Sequence, residues 1–347
     1  MDSSALTEAQ VPRRRLLQLG VALTPLLQLC WLSSPAVRAE DNFGLPDMTE
    51  VQICSSLDGT EQPCLYWAPD TASEQPTPVL VFLHSWSGNY KQRNNAWQQE
   101  AVQRGWIYLH PDFRGRNDTP QALGSKLARQ DILDAIDFAG KSFQVDSQRV
   151  YLAGTSGGGH MSMLMAGHHP DRFSAVSAWV GISDVADWYR FHVKDGVPQN
   201  YAKMILKSLG GPPGDDLSRD ADYRDRSPLG HLARVADLPI EVAAGIRDGY
   251  TGSVPISHTL LAWNEIARAK SGEPIAADEI KRLTRLGGQS EELKQTLAGI
   301  PVDASLGRKV VFRQQIRSSR VTIFDGGHEG IAAAACEWLS RQKRTVD

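Results

Sequence analysis

The chain lacks the marks of several large protein classes. No block of Lys and Arg appears in its body, and 37 basic against 40 acidic residues leave a net charge of −3. A nucleic-acid partner calls for a concentrated basic surface, so none is expected. Beyond Leu32 no stretch stays apolar for the ~18 residues a membrane span requires, so no stable membrane insertion is expected of that part. Cysteine is scarce, with four in 347 residues. None stands in a C-x-x-C pair, which argues against a structural zinc site. His328-Glu329 is not followed by the second His of H-E-x-x-H, so a zinc-protease reading fails as well. There is no internal repeat. No metal or cofactor is expected.

What is present begins with the N-terminus. Arg13, Arg14 and Arg15 precede an apolar stretch from Leu16 to Leu32, and Val37-Arg38-Ala39 closes it. That is the charged, apolar, small-residue order of an export signal. R-R-R-L-L-Q resembles a twin-arginine signal, which serves folded cargo. Pro25, Gln18 and Gln28 make the stretch a poor membrane span. Residues 1–39 are therefore expected to be cleaved, leaving 40–347 as one periplasmic or extracellular domain. Cys30 would leave with the signal. In an oxidising compartment Cys54 and Cys64, which flank a turn-like S-S-L-D-G-T-E-Q-P, are expected to form a disulfide. The competing reading is two unpaired thiols on adjacent strands. Cys336, in an Ala-rich terminal helix, reads as a core residue.

The hydrophobic content of 41% supports a sizeable core. Val79 to Leu83 is a continuous apolar run, the pattern of a strand covered on both faces. It is followed by a helix-like stretch from Arg93 to Arg104, a strand-like Trp106 to Leu109 and a helical Lys126 to Ala139. The strand-like Arg149 to Ala153, the helical Gly158 to Gly167 and the apolar Phe173 to Val180 come next. Such alternation implies a mostly parallel sheet flanked by helices. Residues 184–236, rich in Gly, Pro and charge, read as a cap-like insertion. The alternation resumes with a strand at Pro239 to Ile246 and a helix at Ser257 to Lys270. A second insertion covers 272–309. A strand at Arg320 to Phe324 and a helix at Gly330 to Arg341 close the chain.

The strongest motif is G-T-S-G-G at Gly154 to Gly158, which matches G-x-S-x-G with a strand before it and a helix after it. In that setting the Ser sits on a sharp turn, glycines make room for the backbone, and the helix N-terminus favours developing negative charge. A serine hydroxyl is a poor nucleophile and needs a base. His328, in F-D-G-G-H-E-G between the last strand and the last helix, is the candidate. The acid that orients it should lie on the preceding unit. Asp248 in V-A-A-G-I-R-D-G-Y fits, with Asp184 as the alternative and Asp325 as a residue that shapes the His328 turn. His258 reads as a cap or packing residue. His168 and His169 suit the negative end of the nucleophile helix. The backbone N–H of Gly157 is the first candidate donor to an oxyanion. Trp86, in H-S-W-S-G-N, is the second, with Ser85 as its alternative.

Taken together these segments resemble the α/β-hydrolase superfamily. More narrowly, L-H-S-W-S-G-N, H-P-D-F-R-G, Y-L-A-G-T-S-G-G-G, R-S-P-L, G-I-R-D and D-G-G-H-E resemble the catalytic domain of prolyl oligopeptidase-like serine hydrolases. The likeness extends from about Val79 to the C-terminus. The peptidases of that family carry a β-propeller, for which only about 40 residues precede Val79 once the signal is removed. Relatives often have Gly where Ser85 stands.

The resemblance implies hydrolysis of a small-molecule or polymer-linked carboxylic ester through a Ser156–His328–Asp248 triad and an acyl-enzyme. Gly157 and Trp86 would hold the oxyanion. A peptidase acting on short peptides is the alternative, since the same triad serves both. A non-catalytic binding protein on this scaffold is the third reading, and it would expect a broken triad.

Overall fold

The continuous apolar runs become the inner strands of one sheet. The computed structural model describes residues 44–345, so the export signal and Cys30 lie outside the described residues. Ten strands line up: β1 (Thr49–Cys54), β2 (Glu61–Trp67), β3 (Thr77–Leu83), β4 (Ile107–Pro111), β5 (Val145–Thr155), β6 (Ala175–Trp179), β7 (Ile240–Gly245), β8 (Val302–Asp303), β9 (Arg308–Ile316) and β10 (Ser319–Phe324). Their order across the sheet is β1-β2-β4-β3-β5-β6-β7-β10-β9-β8. The block from β4 to β10 is parallel, and antiparallel strands close both edges. This is the α/β-hydrolase fold, a mostly parallel sheet flanked by helices.

The helices are α1 (Asn95–Arg104), α2 (Lys126–Ser142), α3 (Gly157–His168), α4 (Val185–Phe191), α5 (Asn200–Leu209), α6 (Leu217–Asp225), α7 (Ser257–Ala269), α8 (Ala277–Leu286), α9 (Ser290–Ala298) and α10 (Ala332–Ser340). α7 shows why they adhere to the sheet. Leu260, Trp263, Ile266 and Ala267 recur at helical spacing and are buried to the last few per cent. Each large apolar side chain so buried contributes roughly 1.5–3 kcal/mol. Between β6 and β7 run α4, α5 and α6. Their apolar faces meet Trp86 and Val254 in a hydrophobic cluster separate from the main core. α8, α9 and β8 fill the stretch between α7 and β9.

Two expectations need correcting. β9 carries no strand pattern in its sequence, because it neither alternates nor runs continuously apolar. It is half-buried along most of its length, and its register against β10 shifts between Val310 and Phe312. Cys54 and Cys64 are free thiols, not a disulfide. On the antiparallel β1–β2 pair Cys64 sits opposite Val51 and Cys54 opposite Glu61. Three positions along a strand reverse the face, so Cys54 is exposed while Cys64 points into the core. Burial pushes the Cys64 thiol up to about 12, which keeps it protonated and unreactive.

β7 and β10 carry the loops on which Asp248 and His328 stand, and an ion pair joins them. Arg320 and Glu241 face each other in the β7–β10 register, with Nε 2.7 Å from the carboxylate. Ser177 Oγ of β6 donates to the same carboxylate at 2.6 Å. Removing one member strands a buried charge. Arg320→Met should lower the unfolding free energy by ~3 kcal/mol or more in urea denaturation, and adding Glu241→Leu should recover most of that loss. Equal stability of the single variant and the parent would show that the pair does not join the two strands energetically.

Candidate active site

β5 ends at Thr155 and α3 begins at Gly157, so Ser156 alone makes the turn between them. Its backbone is left-handed, with φ 61° and ψ −118°, a conformation costing a non-glycine residue about 1–3 kcal/mol. The surroundings hold it there. Ser156 N–H donates to the Trp179 carbonyl at the end of β6 at 2.9 Å, and His160 N–H donates to the Ser156 carbonyl at 2.9 Å. A Cβ on Gly158 would lie 2.1 Å from the Leu83 carbonyl oxygen, and one on Gly154 would lie 2.3 Å from Gly158. Backbone is packed directly on backbone, which only glycine permits.

The structure brings Ser156, His328 and Asp248 together. His328 stands between β10 and α10, and its Nε2 lies 2.8 Å from Ser156 Oγ. Its Nδ1 lies 2.7 Å from Asp248 Oδ2. A carboxylate only accepts, so it fixes the proton on Nδ1 and leaves the Nε2 lone pair to accept from the Ser156 hydroxyl. Asp248 is 1% exposed. Its other oxygen accepts Gly249 N–H at 2.9 Å and Val254 N–H at 3.1 Å, so the buried charge is hydrogen-bonded on both sides.

Asp184, the other candidate acid, is occupied elsewhere. Its Oδ1 accepts Ala186 N–H at 2.8 Å and Asp187 N–H at 3.0 Å, capping α4. Asp325 pairs with Arg247 at 2.7 Å, bracing the turn before His328. His258 is buried in α7. His168 lies at the end of α3, but burial together with the Arg129 guanidinium pushes it down to about 4, so it does not supply the positive charge expected at that helix terminus.

The loop after β3 is pressed against the Ser156 turn. A Cβ on Gly157 would lie 2.2 Å from the Trp86 backbone nitrogen. Among the described residues neither the Trp86 nor the Gly157 backbone N–H has a hydrogen-bond acceptor. Ser85 N–H, the alternative donor, is taken by Gln92 Oε1 at 3.0 Å. The loop has supports that the sequence reading did not identify. Trp86 carbonyl accepts Asn117 N–H at 3.0 Å. The buried His84 ring stacks on Phe113 at 3.8 Å and lies 3.0 Å from the Ser85 carbonyl. Burial lowers the pKa of His84. Its place in L-H-S-W-S-G-N was the one available signal.

Among the described residues, one cluster has metal-ligand chemistry. His168, Asp225 and His231 bring ligand atoms within 4.8 Å of one another. Arg129, however, lies 3.1 Å from His168 Nε2 and 3.0 Å from the Asp225 carboxylate. A guanidinium already neutralises that carboxylate, which does not suit a cation.

Residues 93–271 match the prolyl oligopeptidase family. The chain belongs to that family of serine hydrolases. Feruloyl esterase B of Talaromyces stipitatus is 25% identical over 80% of this chain and 69% of its own length. The acylamino-acid-releasing enzyme of Arabidopsis thaliana is 30% identical over 44% of this chain, a stretch that is 20% of that enzyme. The acylaminoacyl peptidase of Pyrococcus horikoshii superposes with a TM-score of 0.52 at 21% identity, over 71% of this chain and 41% of that one. The match thus spans under half of the length of each of those two relatives. The structural likeness, at that identity, concerns the fold.

In this family member the contact of Gly157 with Trp86 has a direct consequence. Gly157→Ala should displace the Trp86 loop and lower hydrolysis of an activated ester on the order of 10²-fold, the scale of one lost oxyanion donor. Gly140→Ala, where no atom lies within 4 Å of the added carbon, serves as the control and should leave the rate unchanged. Comparable rates in the two variants, measured with p-nitrophenyl acetate, would show that the close approach is unimportant.

Proposed function

We propose that the protein hydrolyses carboxylic esters by acyl transfer, with Ser156 as nucleophile, His328 as general base and acid, and Asp248 as the orienting acid. The observation that carries this reading is the continuous hydrogen-bonded chain from Ser156 Oγ through His328 to Asp248, 2.8 Å and then 2.7 Å. The Ser156 proton passes to His328 Nε2 as Oγ bonds to the ester carbonyl carbon. The carbonyl oxygen becomes an oxyanion beside the Gly157 and Trp86 N–H groups. The alcohol leaves with the proton from His328, giving the acyl-Ser156 ester. Water, deprotonated by His328, then releases the acid and regenerates Ser156.

Ester hydrolysis is preferred because the match to feruloyl esterase B extends over 80% of this chain, against 44% for the acylamino-acid-releasing enzyme. Peptidase action on short peptides is the second reading, favoured by the family match and by the peptidase structures that share the fold. We further propose that residues 1–39 direct export to the periplasm or medium and that the substrate is an extracellular ester. The segment 184–236 would then form a cap on the single domain.

Ser156→Ala and His328→Ala should each cost 10³-fold or more in ester hydrolysis, with little further loss when combined, because the residues act as a unit. Asp248→Asn should cost on the order of 10⁴-fold, while Asp184→Asn should cost far less. These rates are read with p-nitrophenyl acetate, alongside aminoacyl p-nitroanilides. Faster turnover of the anilides would favour the peptidase reading, and retained activity in folded Ser156→Ala would refute the mechanism. Exported material should begin near Glu40, and an intact Met1 in that fraction would refute the signal.

A further inference from the structure

The carboxylate of Asp248 is held by a loop, and that loop is held by the segment inserted after β6. Val254 N–H donates to Asp248 Oδ1 at 3.1 Å. The carbonyl of the same peptide group, that of Ser253, accepts two side-chain donors. Trp188 Nε1 lies 2.8 Å from it and His192 Nε2 lies 3.0 Å from it. Trp188 is on α4, and His192 caps the C-terminal end of that helix. A peptide group is planar, and in the trans form its C=O and N–H point in opposite directions. Two donors gripping the oxygen therefore fix where the N–H aims. They also polarise the group, which strengthens the bond its N–H makes to a carboxylate.

Trp188 reaches the other half of the site as well. It is fully buried, and its ring meets the Trp86 indole edge-on, with centroids 4.5 Å apart. Tyr201 of α5 packs against the same ring at 4.9 Å. A single side chain of the inserted segment thus touches the loop that holds the acid and the loop that supplies the candidate oxyanion donor. His192 meets Trp188 edge-on at 4.9 Å. A carbonyl oxygen only accepts, so His192 Nε2 carries the donated proton, and burial lowers the ring's pKa.

We propose that Trp188 and His192 are positioning residues that aim the Asp248 carboxylate at His328 through the Ser253–Val254 peptide group. The segment after β6 is then a buttress of the acid as well as a cover. This inference rests on the triad reading above.

The test is a kinetic cycle with p-nitrophenyl acetate on the full chain, with thermal melting to monitor the fold. Trp188→Phe keeps an aromatic ring but removes the N–H. His192→Leu removes the second donor at a half-buried position, so it serves if the first variant folds poorly. Each should lower kcat on the order of tenfold with KM within about twofold, the mark of a misplaced group and not of lost binding. In an Asp248→Asn background each should cost less than about twofold, since no carboxylate remains to be aimed. A kcat loss of equal size in both backgrounds, or no loss from either variant, overturns the inference and leaves the triad reading intact. Full activity in Asp248→Asn alone overturns both.

Discussion

The architecture turns on one tight junction, where Ser156 is held left-handed between the ends of β3, β5 and β6. Gly154, Gly157 and Gly158 let three backbones approach to distances that any side chain would forbid. The Ser156 N–H bond to Trp179 and the packing of α3 repay the local strain. Because the inner strands are parallel, their C-terminal ends share one edge of the sheet. The turns after β5, β7 and β10 therefore converge there, and a hydroxyl, a carboxylate and an imidazole meet without further arrangement.

Much of this was legible from residue order. A continuous apolar run before G-T-S-G-G and helical spacing after it specify a strand, a turn and a helix. G-I-R-D-G and D-G-G-H-E follow at strand ends. The choice between Asp248 and Asp184 was less legible, since both follow apolar runs. The difference is one of hydrogen bonding: Asp184 spends its oxygen on the N–H groups of α4, whereas Asp248 turns one oxygen to His328.

What the sequence hid has physical causes. β9 lies next to the sheet edge, covered there only by the two residues of β8, and its register is shifted, so it has no clean period. Cys54 and Cys64 flank a turn in the sequence, but pleating sends them to opposite faces. The supports of the site come from residues far apart along the chain. Asn117 holds Trp86, and Trp188 with His192 holds Ser253. No local pattern announces such contacts, since each depends on where a distant segment folds back. In this account the insertion after β6 belongs to the catalytic apparatus as much as to its covering.

The central claim is that Ser156 is the activated nucleophile at the strand–helix turn. The most direct test is to label the native protein with a fluorophosphonate and locate the adduct by peptide mass spectrometry. The account predicts one adduct, on the peptide containing Ser156, with its formation tracking the loss of esterase activity. An adduct on another serine such as Ser85 or Ser87, or full activity after complete labelling of Ser156, would contradict it.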